Sequence, residues 1–301
     1  MNADGFAKHS PSQRPMLSVI IPACNAAHVL GEQLEALKAQ EYDGDWEIVV
    51  VNNCSTDGTA DLVQDYQRLM PNLYLVHALA RQNASYYARN VGVQAARGEA
   101  LLFCDADDVV APGWLRALAE AFEKHDLVAG AVKVDTLNQS APWRPLGLNV
   151  ERPVLDFLPF INGCHLSVSR EAFEAVGGFS EEFSSSGDAD FTWRLQLHGY
   201  AIHYAPAAVV HYRYRETLWE LWKQFSRYGR GHPLLYQHFA SHGMPRSSTR
   251  EALREYKRLI RKALRICIRG AEQQERARWV YKVAMRWGRL WSSIRYRTLY
   301  L

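Results

Sequence analysis

Three carboxylates end an apolar run in the segment GEALLFCDADDV, residues 98–109: Asp105, Asp107 and Asp108. Like charges this close repel each other, and at the end of a core strand they are costly unless a cation neutralises them. Mg²⁺ or Mn²⁺, bound through oxygen ligands, would neutralise them and would also hold substrate phosphates. An acidic turn before Pro112, with one of the aspartates capping the next helix, explains the same residues without a metal.

The chain before these carboxylates alternates between apolar runs and helical patterns. The apolar runs predict strands at 17–22, 48–51, 73–76 and 100–104. Strands that alternate with helices predict right-handed crossovers and a doubly wound, mostly parallel sheet of an α/β fold. In such sheets ligands bind beyond the carboxyl ends of the strands. Because polar clusters follow three of these strands, we expect them to converge in one cleft.

Five segments resemble the motifs of a known family. In chain order they read SVIIPACN, EIVVVNNCSTDGT, ARNVGVQAARGEALLFCDADD, GGFSEEF and GDADFTWRLQLHGY. Their types and order resemble family 2 glycosyltransferases of the GT-A fold, over about residues 17–214. The resemblance implies an inverting enzyme that uses a divalent metal and a nucleotide-diphosphate sugar, with a UDP-sugar as the expected donor.

The resemblance assigns roles in donor binding. Asp105 to Asp107 stands at the DxD motif, in which Asp107 would bind the metal and Asp105 would face the donor ribose or share the ion. The other implied donor-binding residues are Pro22, Ala23, Asn25, Asn52, Asp57, Arg89, Asn90 and Ala106. Asn52 departs from the family, where an Asp commonly receives the uracil or ribose. Asp57 is also explained as a helix cap, and Arg89 as a solvated charge on a helix.

The last motif implies the catalytic and acceptor residues. Asp188 stands at the position of the catalytic base, which accepts the proton of the attacking hydroxyl and gives inversion by direct displacement. Gly187 replaces a Glu that is frequent in the family. Gly163, Asp190 and Trp193 are expected to contact the acceptor. A helix cap at Asp188, a core Trp193 and a tight strand at Gly163 are the alternatives.

His211 follows an apolar strand pattern at 207–210, at a spacing where some relatives place a metal-binding His. Asp107 and two phosphate oxygens leave positions of an octahedral ion open, which this His would help to fill. The alternative is a polar residue at the rim of the sheet.

The C-terminal third is strongly basic. From His211 to Leu301 there are 21 Lys and Arg and 6 Asp and Glu, a net charge of +15, whereas the preceding residues have 14 and 26, a net charge of −12. Two amphipathic helical patterns, at 253–267 and 280–294, carry apolar stripes with basic residues around them. Such helices suit an anionic membrane surface. Packing of these helices as a cap on the acidic domain is the alternative.

Composition sets the expected location and boundaries. Residues 1–15 lack the apolar core of a signal peptide and no apolar run reaches the ~18 residues of a membrane span. Five Cys without CxxC pairs favour neither disulfides nor zinc. We therefore expect a cytoplasmic protein, peripheral on the inner face of the cell membrane. Its expected parts are a disordered tail (1–15), a catalytic domain (16–214) and a helical, basic region (215–301).

The expected activity is sugar transfer to a glycolipid or polysaccharide precursor. Two other functions remain open. An inactive relative that acts as a membrane-associated scaffold is suggested by Asn52 and Gly187. Nucleic-acid binding is suggested by the basic C-terminal region, but no recognition motif accompanies it and nucleic acid is not the expected partner.

Overall fold

The computed structural model describes residues 14–79, 85–139, 141–143 and 153–301. The chain divides into two compact units. Unit 1 comprises Met1–Lys133, Ile161–Phe179 and Arg194–Tyr212, and unit 2 comprises Val134–Phe160, Ser180–Trp193 and Arg213–Leu301. Unit 2 therefore contains the whole predicted helical region and two segments from within the predicted catalytic domain. Of the tail predicted to be disordered, residues 1–13 lie outside the described residues.

The elements follow the predicted alternation. The strands are β1 (Leu17–Ala23), β2 (Trp46–Asn52), β3 (Leu73–His77), β4 (Ala100–Phe103), β5 (Val109–Val110), β6 (Leu127–Lys133), β7 (Leu166–Ser169) and β8 (Ile202–His211). The helices are α1 (Leu30–Lys38), α2 (Thr59–Gln67), α3 (Ser85–Ala95), α4 (Trp114–Phe122), α5 (Arg170–Ala175), α6 (Gly187–Leu197), α7 (Leu218–Phe239), α8 (Thr249–Arg269) and α9 (Gln273–Arg295). The four predicted strands and both predicted C-terminal helices are confirmed.

The strands of unit 1 form a single sheet among the described residues, in the order β3-β2-β1-β4-β7-β6-β8-β5. β1 pairs in parallel with β2 and with β4, and β2 pairs in parallel with β3. The α/β fold with a parallel-dominant sheet is thus confirmed. β7 is antiparallel to both of its neighbours, and β5 is antiparallel to β8. The sequence did not predict these reversals, because β7 and β5 are not reached through the short strand–helix–strand crossover that sets a parallel direction.

The central strands are buried on both faces, which explains their continuous apolar sequences. α3 approaches this sheet closely at Gly92. A Cβ added there would lie 2.6 Å from Ile20 Cγ2 and 2.9 Å from Val51 Cγ2. Both neighbours are β-branched and stiff, so the helix reaches the sheet only because residue 92 has no side chain.

Unit 2 is built on the contact between α7 and α9, which also depends on glycine. A Cβ on Gly229 would lie 2.2 Å from Met285 O, and one on Gly288 would lie 2.1 Å from Ser226 O. Apolar side chains from both helices, with Trp143, form a second core. Even the longest of the described helices lacks the continuous apolar stretch needed to cross a bilayer.

An ion-pair network joins α6 to α7 within unit 2. His238 of α7 lies with Nδ1 3.4 Å from Asp190 Oδ1 and with Nε2 3.3 Å from Glu182 Oε2. Asp190 is fully buried. Its hydrogen bond to the imidazole is the main reason that the pKa of His238 is raised, with Glu182 adding to the effect and burial opposing it.

Gly92→Ala is expected to destabilise the protein by about 1–3 kcal/mol through overpacking. At a helix position with free space around it, a Gly→Ala change stabilises a protein by roughly 0.5–1 kcal/mol. The sign of the change in the free energy of unfolding therefore tests the close contact. Chemical denaturation measures the difference. Gly31→Ala in α1 is the control, because a Cβ there would come no closer than 3.7 Å to a neighbour, Tyr66 Oη, which is an ordinary van der Waals contact. Equal effects of the two changes would contradict the packing of α3 described here.

His238→Gln is expected to lower the melting temperature more at pH 5.5 than at pH 8.5. A His whose folded pKa is raised stabilises the fold fully below its unfolded pKa, and this stabilisation is lost as pH rises through the folded pKa. Melting curves of both proteins across this range test the expectation. A difference that does not depend on pH would show that the ion pairs of His238 do not stabilise the fold.

Candidate functional site

The three aspartates lie in a turn at the carboxyl end of β4, residues 105–108, which we call the carboxylate loop. Asp108 N donates to Asp105 O at 3.4 Å, which closes the turn. Ala106 and Asp108 point inward and are buried, whereas Asp105 and Asp107 are half-buried. The capping alternative is wrong, because the N-cap of α4 is Gly113 with φ 79°, and the first-turn amide of Leu115 donates to Gln40 Oε1 at 3.2 Å.

Gln33 holds both sides of the carboxylate loop. This fully buried side chain of α1 donates through Nε2 to Cys104 Sγ at 3.1 Å and accepts through Oε1 from Val110 N at 2.9 Å. Burial raises the pKa of the Cys104 thiol, so the group stays protonated. Sequence reasoning missed Gln33, since a single polar residue in an amphipathic helix carries no sign of a partner 71 residues away.

Arg89 is the buried cation beside the carboxylate loop. Its Nη2 donates to Asp105 Oδ1 at 2.5 Å, and only 4% of the residue is exposed. The guanidinium lies 5.8 Å from the ring centroids of Tyr86 and of Phe179. Gly163 leaves the space for it, because a Cβ there would lie 2.8 Å from Arg89 Nη2. The alternative of a solvated arginine is therefore wrong, and the small residue at 163 has a definite packing role.

One group of potential metal ligands lies at this point. Ligand atoms of Asp105, Asp108 and Cys164 lie within 4.8 Å of one another. Carboxylate oxygens suit Mg²⁺ and Mn²⁺, whereas a thiolate suits softer ions. The two aspartates therefore fit a hard divalent ion and the cysteine does not. Asp107, the predicted ligand, is not in this group.

His211 lies on the strand that borders the carboxylate loop. β5 follows this loop directly and pairs with β8, which places Val109 opposite His211. His211 Nδ1 is buried and has no hydrogen-bond partner among the described residues. Burial, and then the charge of Lys133, lower the pKa of His211. The imidazole is therefore neutral near pH 7, the form that binds metals.

Two loops at the carboxyl ends of β1 and β2 are tied together by side chains. Asn25, with φ 52°, accepts through Oδ1 from Thr56 N at 2.8 Å. Asp57 accepts through Oδ2 from Ala27 N at 3.1 Å and through Oδ1 from Thr59 N at 3.0 Å. Burial opposes its ionisation, but these hydrogen bonds lower the pKa of Asp57 on balance. Asp57 therefore caps the start of α2, as its alternative predicted.

The other predicted donor residues lie around these loops. Asn52 is buried, and its Oδ1 accepts from Ser55 N at 3.2 Å. Asn52 Nδ2 lies 3.3 Å from His77 Nδ1. The amide of Asn90 makes two hydrogen bonds with the backbone of Phe179, at 2.9 and 3.0 Å. Pro22 is half-buried and Ala23 buried at the end of β1. Their donor-binding roles stay predictions.

Asp188 lies in the first turn of α6, in unit 2. Ser185 and Ser186, directly before this helix, donate to the carbonyl oxygens of Arg227 and Tyr228 of α7, at 2.5 and 3.3 Å. Ser186 has φ 61°, a conformation that costs energy in a residue with a side chain. The half-buried Asp188 is thus anchored at a strained turn. Sequence reasoning missed both serines, since their partners lie more than 40 residues away.

Two expected acceptor contacts are not supported by the structure of unit 2. Trp193 is fully buried, and its Nε1 donates to Leu158 O at 3.0 Å and to Pro159 O at 3.1 Å. A ring without exposed surface does not stack on a sugar, so Trp193 is a core residue, as the alternative predicted. Asp190 is also fully buried, where it contacts His238. This contact joins α6 to α7.

Two family models match the chain. The model of glycosyl transferase family 2 matches residues 18–176, and that of glycosyl transferase family group 2 matches residues 149–301. The glycosyltransferase AglE of Haloferax volcanii is 29% identical over 226 residues, which cover 73% of this chain and 74% of AglE. The PGL/p-HBAD biosynthesis glycosyltransferase of Mycobacterium tuberculosis is 34% identical over 187 residues, which cover 60% of this chain and 69% of that protein.

A solved structure shares the fold. The mannosyltransferase PcManGT from Pyrobaculum calidifontis, solved in complex with GDP-Man and Mn²⁺, superposes with a TM-score of 0.59 at 22% identity. The match covers 94% of this chain and 74% of PcManGT. This likeness establishes the GT-A fold that the five motifs predicted. Because the family 2 model matches more than half of the chain, over the segment that forms the carboxylate loop and its supports, the protein belongs to glycosyl transferase family 2.

Proposed function

We propose that this glycosyltransferase moves a sugar from a UDP-sugar to a hydroxyl of a glycolipid or polysaccharide precursor, with inversion, at the cytosolic face of a membrane. The observation that carries the proposal is the carboxylate loop, in which three aspartates lie at a strand end and one of them, Asp105, pairs with the buried Arg89. That arrangement suits a diphosphate and its metal, since both cations and anions find partners there.

Mn²⁺ or Mg²⁺ would be held by carboxylates of this loop. Asp107 is half-buried and so remains accessible, and Asp108 adds a second carboxylate. The neutral imidazole of His211 is the third proposed ligand. When bound, the ion stabilises the negative charge that develops on the diphosphate leaving group.

Arg89 is proposed to bind the donor diphosphate from the other side. Its Nη2 pairs with Asp105, and its planar guanidinium presents further donors that match phosphate oxygens. The stacked rings and Gly163 hold the group in one orientation, so little side-chain entropy is lost on binding. Asn25, Asn52 and Asp57 order the loops that would enclose the nucleoside.

Asp188 is proposed as the general base. A carboxylate in the first turn of a helix is stabilised as an anion by the helix dipole, which favours the form that accepts a proton. The strained turn at Ser186 and the hydrogen bonds to α7 fix its position. The proton of the acceptor hydroxyl would pass to Asp188 as the oxygen attacks the anomeric carbon.

A catalytically inactive scaffold is the second candidate. Asn52 favours this hypothesis, because its side-chain oxygen accepts from Ser55 N and so has a structural role in the loop after β2. A protein that binds nucleotide but turns over no donor would support the scaffold.

Asp107→Ala is expected to abolish the metal-dependent part of nucleotide binding. A ligand that binds only the folded protein raises its melting temperature, so thermal shifts with UDP or GDP, each with and without Mn²⁺, measure the effect. GDP is included because PcManGT was solved with GDP-Man. Asp65→Ala, at an exposed surface ion pair, is the control. An unchanged Mn²⁺-dependent shift in the Asp107 variant would refute the metal assignment.

Asp188→Asn is expected to keep nucleotide binding and to lower transfer by about 10²–10⁴-fold, the usual contribution of a general base. Asn retains the oxygen that accepts from Ala189 N at 3.0 Å, so the turn is preserved. Release of nucleoside diphosphate in the presence of lipid-linked saccharides from membranes measures turnover. Transfer within tenfold of the unmodified protein would exclude Asp188 as the base.

A further inference from the structure

α8 and α9 carry apolar side chains that remain exposed. We call these residues the apolar face, and they are Leu253, Ile260, Leu264 and Ile268 of α8 and Trp287, Leu290, Trp291 and Ile294 of α9. Between 37% and 80% of each residue is accessible. A contiguous exposed apolar surface on a folded protein indicates an interaction site.

Packing between the two helices does not account for this face. α8 turns Ala252 and Leu259 inward, and Trp279 Nε1 of α9 donates to Leu259 O at 3.1 Å. Glu255 of α8 also pairs with Lys282 and Arg286 of α9. α8 is thus fastened to α9 by a side other than its exposed stripe. The role of a simple packing cap leaves the apolar face unexplained.

A groove lies between α8 and α9. Its cavity of about 240 Å³ has an almost entirely apolar lining, which includes Ile260 and Leu264 of the apolar face together with Ala263, Trp279 and Val283. Val283 lies one helical turn before Trp287, so the groove joins the stripe of α8 to that of α9. An elongated hydrocarbon chain fits such a lining, because it needs no polar partner.

Basic residues border the apolar face. α8 contains eight Lys and Arg and only two Glu. Four basic residues of α8 are also exposed, namely Arg254, Lys257, Arg258 and Arg261. Two of the acidic residues nearby are engaged, since Glu255 pairs as described and Glu275 pairs with Lys262 and Arg265. A second copy of the chain would meet this charge with its own, whereas anionic lipid headgroups complement it.

We propose that the apolar face docks in the plane of an anionic phospholipid leaflet, with one acyl chain in the groove between α8 and α9. Trp287 and Trp291 would then lie at headgroup level, where amphipathic rings are favoured. The proposal deepens the proposed function, and rests on it only for the lipid-linked acceptor that such docking would bring near. The apolar stripe of α8 from Leu253 to Ile268 spans roughly 22 Å, enough to cover several headgroups.

Vesicle co-sedimentation of the full chain tests the docking. Binding is expected to vesicles of equal phosphatidylglycerol and phosphatidylcholine, and not to phosphatidylcholine alone. The double variant Ile260→Asp, Leu264→Asp is expected to lose at least tenfold in vesicle affinity. Leu69→Asp, at an equally exposed leucine of unit 1, is the matched control and is expected to bind normally. Lys257→Gln and Arg261→Gln should each weaken binding about fivefold.

Quenching of tryptophan fluorescence by brominated acyl chains reports insertion of the face. Trp287→Phe with Trp291→Phe is expected to reduce the quenching to the part that comes from Trp279 in the groove, and Trp46→Phe to leave it unchanged. The proposal would be overturned if the full chain did not bind anionic vesicles. It would also be overturned if the Ile260→Asp, Leu264→Asp variant bound them as tightly as the unmodified protein. A dimer in solution that this variant dissociates would likewise overturn it, since the face would then be a protein interface.

Thermal shift with nucleotide in vesicle-free solution separates the two proposals. Nucleotide binding without vesicle binding would refute the proposed docking surface and leave the proposed donor site unaffected. Vesicle binding without any nucleotide binding would remove the proposed donor site and leave the docking surface intact.

Discussion

Asp105, Asp107 and Asp108 lie within four residues of one another at the end of a buried strand, and their mutual repulsion must be balanced for β4 to remain in the core. Arg89 supplies one positive charge through Asp105, at the cost of burying a guanidinium. That burial is tolerable because Gly163 leaves room and two aromatic rings flank the cation. The close approach of α3 at Gly92 and the turn that contains Gly163 allow Arg89 to lie beside the carboxylate loop.

The supports of the site are rigid, which suits catalysis by positioning. Gln33 holds the carboxylate loop from α1, and side chains of Asn25 and Asp57 join the loops after β1 and β2. Gly92 lets α3 carry Arg89 against the sheet. Gln33 and Gly92 lie inside packed layers and place functional groups elsewhere, whereas Asn25 and Asp57 join the two loops from exposed positions. The two packed residues are costly as core elements and are explained by the position that they impose.

Unit 2 combines two physically different regions. Around α6, buried polar groups are satisfied by precise partners, as in the contact of His238 with Asp190. Along α8 and α9, exposed apolar side chains lie beside basic ones, and the guanidinium groups of Arg230 and Arg295 lie over the ring of Trp291. The first region suits a fixed reacting group, and the second suits a fluid surface that adapts to the protein. The proposed transfer to a lipid-linked acceptor would use both.

The sequence by itself determined the strands up to β4, the parallel core of the sheet, the two basic amphipathic helices and the family, because these depend on the period of apolar residues and on motifs that are local in the chain. Tertiary structure alone decided what those motifs contact. The reversal of β7, the attachment of Gln33 to the carboxylate loop and the burial of Arg89 involve partners far apart in sequence. An aromatic residue such as Trp193 and an acidic residue such as Asp190 occur both in ligand sites and in protein interiors, so their types did not decide between the two. Only the packing showed that both are buried. Residue type limits the interactions that a side chain can make, whereas the neighbours that long-range packing brings to it decide which one it makes.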